Sequence, residues 1–252
     1  MKKTRSRRSR LSFAHNLLLL LFLFPDLLLF LFPDLLLLFL FPDLPPPLQQ
    51  VSDIDADAAE RVASSLRSRG LSATSAACDV RDDAAQRRLF ADHARRHAGS
   101  PPEFVLLNAG VIDRVALLDD AEARWQTTLD VDLRSVIVGV TVAANEARKR
   151  KQKERAAAAD AGEGSSGGGD STMSIVAVAS AGGLYPMPSA PVYAAAKGGL
   201  VHFVRSAAPG ILSETGARLT ALCPEQVDTA LVAGVAEAGL LPGVGRGQRL
   251  SR

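Results

Sequence analysis

From residue 51 onward, the chain alternates short apolar runs with longer amphipathic stretches. The runs at 104–107 and 175–178 are almost wholly apolar and have the length of strands, which is typical of parallel strands that are covered on both faces. In the stretches between them, apolar residues recur every three or four positions, which indicates helices. This alternation predicts a doubly wound α/β fold, in which a parallel sheet lies between two layers of helices.

Five strands and four helices follow from the same pattern. The predicted strands lie at residues 51–55, 71–80, 103–110, 173–180 and 217–224, and the predicted helices lie at 56–70, 81–99, about 121–149 and about 189–212. Gly70 and Gly99 stand at the ends of the first two helices, where glycine is a common terminating residue.

Residues 1–48 differ from the rest of the chain. Residues 1–16 are basic, and the phrase Phe-Pro-Asp then recurs three times among leucines and phenylalanines. Each Pro-Asp pair interrupts the apolar run, so there is no uninterrupted span of about 20 residues for a transmembrane helix, and no small-x-small cleavage site follows. We interpret residues 1–48 as a low-complexity leader outside the fold. The alternative is a targeting segment or a membrane contact.

Residues 49–252 are then expected to form one partial domain, with a flexible glycine-rich insertion at about residues 156–172. A leader without a targeting role favours a cytoplasmic protein. A genuine targeting leader would instead imply a secretory, organellar or membrane-anchored one.

Charge and cysteine usage exclude several classes of site. The net charge of +2 gives no general attraction for nucleic acid, and we interpret the basic run at 148–155 as a solvated helix end. Cys78 and Cys223 have no CxxC motif or Cys/His cluster beside them, which argues against a zinc site or a disulfide framework. His93 and His97 are four residues apart without an evident third ligand, so we predict no metal site and expect both imidazoles to be solvated.

The strongest chemical signal lies at Ser180, Tyr193 and Lys197. Tyr193 and Lys197 share one face of a predicted helix, and Ser180 closes the preceding strand. A tyrosine hydroxyl can exchange a proton with a substrate oxygen, although its ordinary pKa is about 10. A nearby lysine ammonium is expected to lower that pKa, and a serine hydroxyl can hold the same oxygen. A core tyrosine with a surface lysine would give the same spacing, so the neighbouring motifs decide between the two interpretations.

Two further motifs fall at the carboxyl ends of predicted strands, where open parallel sheets bind their ligands. One is Asn-Ala-Gly at Asn108, Ala109 and Gly110, and the other is Pro-Glu-Gln-Val-Asp-Thr at residues 224–229. Their position supports a ligand site at the same edge of the sheet as Ser180.

With these motifs, residues 51–229 resemble the short-chain dehydrogenase/reductase family, in particular the branch around 15-hydroxyprostaglandin dehydrogenase. The resemblance implies a Rossmann-like fold and hydride transfer between a nicotinamide and a secondary alcohol or ketone, with Ser180, Tyr193 and Lys197 as the catalytic residues. It also implies a set of cofactor contacts. These are Asp79 and Val80 at the adenine, Asn108, Ala109 and Gly110 on the adenosine side, Tyr193 and Lys197 at the nicotinamide ribose, and Pro224, Val227 and Thr229 at the nicotinamide end.

The choice of cofactor depends on Asp53, which ends the first predicted strand. Its carboxylate could accept hydrogen bonds from both hydroxyls of the adenosine ribose and would repel a 2′-phosphate. No arginine stands beside it. We therefore expect NAD rather than NADP. The alternative is that Asp53 only caps the next helix, which Asp55 could also do.

Three departures from the family pattern bear on activity. The family opens with a strand and a glycine-rich turn that approaches the pyrophosphate, whereas the first glycine of this chain is Gly70. The Phe-Pro-Asp repeats are therefore expected to replace that first unit. The family's catalytic asparagine corresponds to Asp132, whose charge near Lys197 would alter proton transfer. The chain also ends soon after Thr229, so we expect the fold to be incomplete at both ends.

Two functions of different class remain. One is an NAD-dependent oxidoreductase that acts on a small-molecule alcohol or carbonyl substrate, binds no nucleic acid and forms a homo-oligomer weakened by the short C-terminal part. The other is a non-catalytic, truncated family remnant, from a disrupted gene or a faulty gene model, which its leader could tether to a membrane.

Overall fold

The computed structural model describes residues 49–97, 99–112, 124–160 and 173–225. All five predicted strands and all four predicted helices have a counterpart within these ranges. In chain order the elements are β1 (Gln49–Asp53), α1 (Ala56–Ser68), β2 (Ala73–Ala77), α2 (Asp83–Arg96), β3 (Phe104–Leu107), α3 (Trp125–Leu129), a π-helical turn (Asp130–Arg134), α4 (Ser135–Asp160), β4 (Ser174–Val178), a 3₁₀ turn (Ala181–Gly183), α5 (Pro191–Thr215) and β5 (Arg218–Leu222). The predicted leader at 1–48 and most of the predicted insertion, residues 161–172, lie outside the described residues.

The strands form two parallel sheets within the described residues. β1 pairs with β2, and β4 lies between β3 and β5. The doubly wound order is 3-2-1-4-5-6, so these sheets correspond to strands 3-2 and strands 4-5-6 of that order, and none of the described residues corresponds to strand 1. The predicted α/β class with parallel strands is confirmed.

Helix α1 begins and ends at residues that the sequence marks. The Asp55 carboxylate accepts hydrogen bonds from Asp57 N (2.9 Å) and Ala58 N (3.1 Å), so Asp55 is the N-cap. The helix is followed by Gly70 at φ +83°, a left-handed conformation that glycine adopts readily. Since Asp55 caps α1, Asp53 is not needed for that role.

Helix α4 is longer than the pattern indicates. The predicted end near Lys149 is wrong, because α4 continues to Asp160 through alanines and charged residues that favour helix. Lys151 Nζ donates to the carbonyl oxygens of Ser213 and Glu214 (3.1 Å each). The basic run therefore lies within a helix, and one of its lysines satisfies carbonyl groups in the last turn of α5.

The main hydrophobic core lies around β3, β4 and β5 and includes side chains from α4 and α5. Its largest fully buried apolar side chains are Met173, Ile175, Leu200 and Val140. A smaller cluster of Ala63, Leu66 and Ala73 holds α1 on β2. None of the described helices combines the length and hydropathy that crossing a membrane requires.

Helix α2, which follows β2 in the chain, packs on α4 beside the three-stranded sheet and so connects the two sheets. Gln86 Nε2 donates to the carbonyl oxygens of Val80 (2.7 Å) and Ser135 (3.0 Å). Arg134 on the π-helical turn pairs with Asp83 at the start of α2 (2.7 Å). These contacts link the segment after β2 to the π-helical turn that carries Asp132 and to the start of α4.

Two histidines at the C-terminal end of α2 differ from the expectation of solvated side chains. His93 and His97 stack with their ring centroids 4.1 Å apart, and both are half-buried. Burial lowers the pKa of His93 to about 4, with a smaller contribution from His97. The expectation is wrong because the two rings cover each other. Among the described residues, no group of three or more His, Cys, Asp or Glu side chains is placed to hold a metal ion.

Candidate active site

The carboxyl ends of β3, β4 and β5 carry predicted site residues at one edge of the three-stranded sheet. Asn108, Ala109 and Gly110 follow β3, Ser180 follows β4, and Pro224 follows β5. Because the three strands are parallel, their carboxyl ends meet at the same edge, which is where ligands bind in open sheets.

Ser180 is held by a short turn. It leaves β4 in an extended conformation and precedes the 3₁₀ turn Ala181–Gly183. Its Oγ accepts a hydrogen bond from Gly182 N (3.1 Å), and Ala181 N donates to the Pro224 carbonyl (2.8 Å). Both the serine side chain and the end of β5 therefore fix the turn.

Gly183 allows this turn to lie directly on α5. A Cβ added at Gly183 would lie 2.6 Å from the carbonyl carbon of Lys197 and 2.9 Å from Gly198 N. Only a residue without a side chain permits that approach. Sequence reasoning missed Gly183 as a site residue, and the Gly-Gly pair in the loop was its one signal.

Tyr193 and Lys197 lie one turn apart on α5, and both are buried, with exposures of 7% and 3%. Lys197 Nζ lies 5.6 Å from the centroid of the Tyr193 ring. Tyr193 is hydrogen-bonded with Ser180. The structure thus brings Ser180, Tyr193 and Lys197 together, although Ser180 is thirteen residues before Tyr193 in the chain.

The Lys197 ammonium is engaged by two acceptors in the protein interior. Nζ donates to the Val178 carbonyl (2.9 Å) and forms an ion pair with Asp132 Oδ1 (3.0 Å). The Asp132 side chain is fully buried and also accepts from Val111 N, at 3.3 Å to each oxygen. Sequence reasoning missed Val178 and Val111, because their backbone groups leave no signal in residue type.

Asp132 reaches the site from the π-helical turn that joins α3 to α4. Such turns are frequent at functional sites. Asp132 also lies against Gly110, since a Cβ at Gly110 would be 2.9 Å from Asp132 Oδ1 and 3.6 Å from Lys197 Nζ. The end of β3, the π-helical turn and α5 therefore meet at the Asp132–Lys197 pair.

The expected effect of Lys197 on Tyr193 is wrong for this arrangement. Burial raises the pKa of Tyr193 above 10.0, hydrogen bonding with Ser180 opposes that rise, and the charge of Asp132 adds to it. The sequence pattern indicated a lowered pKa because it placed a lysine one turn away. It did not show that a buried carboxylate neutralises that lysine.

Asp53, Asp79 and Val80, three residues predicted to contact the adenosine part of the cofactor, already have hydrogen-bond partners within the protein. Asp53 is exposed, and its Oδ1 accepts from Asp55 N (2.9 Å). The Asp79 carboxylate is engaged by Arg81 (2.6 Å), whose hydrogen bonds lower the pKa of Asp79. Val80 is half-buried, and its carbonyl accepts from Gln86. Predicted contacts Val227 and Thr229 lie outside the described residues.

Comparison with known proteins identifies the family. A family model described as enoyl-(acyl carrier protein) reductase matches residues 50–246. The chain belongs to the short-chain dehydrogenase/reductase family. This membership confirms the resemblance inferred from the motifs, and it makes an oxidoreductase the general class to which the chain is related.

Curated relatives include dehydrogenases of this family. Human 15-hydroxyprostaglandin dehydrogenase [NAD(+)] is 33% identical over 159 residues, which are 62% of this chain and 48% of the relative. Cis-4-hydroxycyclohexanecarboxylate dehydrogenase of Sinomonas cyclohexanicum is 30% identical over 181 residues, 71% of this chain and 64% of the relative. The chain spans about half the length of the 15-hydroxyprostaglandin dehydrogenases that it matches.

Solved structures support the fold. A short-chain dehydrogenase from Mycobacterium smegmatis superposes with a TM-score of 0.59 at 22% identity and covers 76% of this chain and 73% of its own. A putative short-chain dehydrogenase/reductase from Burkholderia xenovorans gives 0.60 at 24% identity, covering 74% of this chain and 63% of its own. At these identities, the likeness concerns the fold.

Proposed function

We propose that this chain is an NAD(H)-dependent oxidoreductase that transfers a hydride between a secondary alcohol or ketone and a nicotinamide. The observation that carries the proposal is the convergence of Ser180, Tyr193 and Lys197 from two separate elements at the carboxyl edge of the sheet. If Tyr193 were only a core residue, Lys197 would be expected at the surface. Lys197 is instead buried next to a carboxylate, which favours the catalytic interpretation of the Tyr-x-x-x-Lys spacing.

Each side chain has a distinct role in this reaction. Ser180 holds the substrate oxygen by a hydrogen bond, and Tyr193 gives a proton to that oxygen in reduction or takes one from it in oxidation. Lys197 has three N–H donors, two of which are directed to Val178 and Asp132. The third would bind a ribose hydroxyl of the cofactor. When bound, the nicotinamide supplies or accepts the hydride.

Two described residues, Asp53 and Lys197, would hold the two riboses of NAD. Exposed Asp53 suits the adenosine ribose, and the relatives named 15-hydroxyprostaglandin dehydrogenase are named as NAD(+) enzymes. The segment Asn108–Gly110 is exposed, and Gly110 lies beside the Asp132–Lys197 pair, so a bound cofactor could contact both. None of the described residues forms a glycine-rich turn for the pyrophosphate, so we assign no residue to that group.

A non-catalytic family member is the competing function. Two observations favour it: the first glycine of the chain is Gly70, and Asp132 stands where the family resemblance places an asparagine. A chain of this kind would retain the catalytic side chains without binding the cofactor. Cofactor binding therefore separates the two functions.

Titration of the full-length chain with NADH tests the proposal. We expect a saturable rise in melting temperature together with enhanced nicotinamide fluorescence, since a ligand at a hundred times its Kd stabilises a protein by about 2.7 kcal/mol. The rise should be lost in Asp53→Ala and retained in Asp57→Ala, a matched loss of one exposed carboxylate from the first turn of α1.

A kinetic variant tests the chemistry separately. Tyr193→Phe should lose the NADH-dependent reduction of ketones while still giving a saturable rise in melting temperature with NADH, whereas Tyr185→Phe, at a tyrosine that is 67% exposed, should match the parent. A folded chain that shows no saturable binding of NADH would establish the non-catalytic function instead.

A further inference from the structure

Asp132 and Lys197 form a closed ion pair beside the Tyr193 ring. Their charged atoms are 3.0 Å apart, and their side chains are 0% and 3% exposed. Lys197 Nζ lies 5.6 Å from the ring centroid, which is farther than it lies from the carboxylate. The carboxylate opposes the field of the ammonium at the ring, so the pair presents less positive charge to Tyr193 than Lys197 alone would.

Among the described residues, the other groups around Tyr193 do not supply a positive charge in place of the pair. At the end of β4, Ser180 contributes a neutral hydroxyl. Beyond β5, burial raises the pKa of the Cys223 thiol, which keeps that thiol neutral at pH 7. Arg205, on α5, is exposed and acts on Cys223. On the π-helical turn, Asp130 acts on Arg81, and α3 contains no titratable side chain.

We propose that Asp132 is a positioning residue that holds Lys197 in a neutral pair and thereby poises the site for carbonyl reduction at neutral pH, with alcohol oxidation confined to alkaline pH. This inference rests on the proposed function and assigns the working direction of the same site. It concerns the rates at a given pH, since no enzyme changes the equilibrium between alcohol and ketone.

The direction follows from the proton that each reaction requires of Tyr193. In reduction, Tyr193 would give its hydroxyl proton to the carbonyl oxygen, and water would then restore that proton; a bound reduced cofactor would supply the hydride to the carbonyl carbon. In oxidation, ionised Tyr193 would remove the proton of the substrate hydroxyl, and a bound oxidised cofactor would accept the hydride from the carbinol carbon. At neutral pH a Tyr193 without a net positive neighbour is in the protonated form that reduction uses.

The tyrosine content of the chain allows a direct measurement that needs no cofactor. The chain has two tyrosines, so Tyr185→Phe leaves Tyr193 as the one tyrosine whose ionisation changes the ultraviolet absorbance near 295 nm. We expect Tyr193 in this variant to remain mainly protonated at pH 10, the ordinary midpoint. In the double variant Tyr185→Phe/Asp132→Asn, the midpoint should move to lower pH, because Asn keeps an acceptor for Lys197 without the negative charge.

A matched control and a structural control accompany the titration. Asp130→Asn removes a carboxylate from the same π-helical turn without touching Lys197, and it should leave the Tyr193 midpoint unchanged. Far-ultraviolet circular dichroism at each pH restricts the comparison to folded protein. The proposal is overturned if Tyr193 is half-ionised at or below pH 10 with Asp132 intact. It is also overturned if Asp132→Asn leaves the midpoint of a folded protein unchanged or raises it.

Kinetics give the second readout. In Asp132→Asn, the rate of alcohol oxidation at pH 7 should rise by roughly tenfold for each pH unit that the Tyr193 midpoint falls, and the alkaline optimum of kcat should move down with it. If Asp132 only stabilised the fold, Asp132→Asn would lower kcat at every pH without moving the pH optimum, and that result would contradict the proposal. If the chain binds no NADH, the proposed function fails, while the absorbance titration still decides the pairing of Asp132, Lys197 and Tyr193.

Discussion

Replacing Gly183 by alanine should separate the Ser180 turn from α5. The added Cβ would lie 2.6 and 2.7 Å from the carbonyl carbon and oxygen of Lys197, and 2.9 Å from Gly198 N. All three are backbone atoms of a helix and cannot rotate away as a side chain can. Ordinary contact begins at 3.4 Å, so the turn and the helix must move apart by about 0.8 Å, which a close-packed interior resists.

The consequences of that movement are measurable in two ways. Overpacking of this kind lowers the free energy of unfolding by about 1–3 kcal/mol, which urea unfolding followed by the fluorescence of Trp125, the one tryptophan, can detect. Because Ser180 is carried on the displaced turn, kcat for ketone reduction should fall by roughly 100-fold, the effect of a misplacement near 1 Å.

Two other glycines of α5 provide controls for Gly183→Ala. A Cβ at Gly198 meets the Gly183 carbonyl oxygen at 3.4 Å, and a Cβ at Gly210 meets nothing within 4 Å. Gly198→Ala should have little effect, and Gly210→Ala should stabilise the helix by about 0.5–1 kcal/mol. If Gly183→Ala unfolds at the urea concentration of the parent and keeps its kcat, the turn is not pressed against α5 and the argument fails.

Two further predictions concern buried charge and pH. Replacing Asp132 by alanine should lower the free energy of unfolding by about 3–5 kcal/mol, because Lys197 then keeps a buried charge without its carboxylate; the double variant Asp132→Leu/Lys197→Met should recover much of that loss in urea. Stability should also fall as the pH is lowered from about 6.5 to about 4, because His93 has a pKa of about 4 when folded and the unfolded chain takes up the proton first. Because His93 is half-exposed, solvent screening keeps the loss below the roughly 3 kcal/mol that its full pKa shift would give. His93→Gln should weaken the dependence of stability on pH in urea titrations over this range.

The outcomes that would contradict these two predictions differ. An Asp132→Ala protein as stable as the parent would mean that water reaches Lys197 and solvates it. A stability that is flat between pH 6.5 and 4 in the parent, or the same slope in His93→Gln, would mean that stacking on His97 does not keep His93 neutral.

Much of the fold could be predicted from sequence because it depends on local patterns. Apolar runs of strand length alternate with helical periodicity, and Asp55 and Gly70 mark the two ends of α1. The adjacency of Tyr193 and Lys197 follows in the same way, since residues four apart on any helix share a face. The position of Ser180 at the end of a strand required only the strand assignment. These features need no knowledge of how distant segments pack.

Tertiary structure decided the electrostatics of the site. Asp132 and Lys197 are 65 positions apart in the chain, and only the packing of the π-helical turn on α5 brings their charged atoms to 3.0 Å. Residue types alone placed a cation near Tyr193 and therefore indicated a lowered pKa, whereas burial and the carboxylate raise it. The role of Gly183 likewise depends on a contact between two backbones, which leaves no periodic signal. Sequence thus determined which groups are present at this edge of the sheet. The packing of distant helices determined which charged side chains lie next to them.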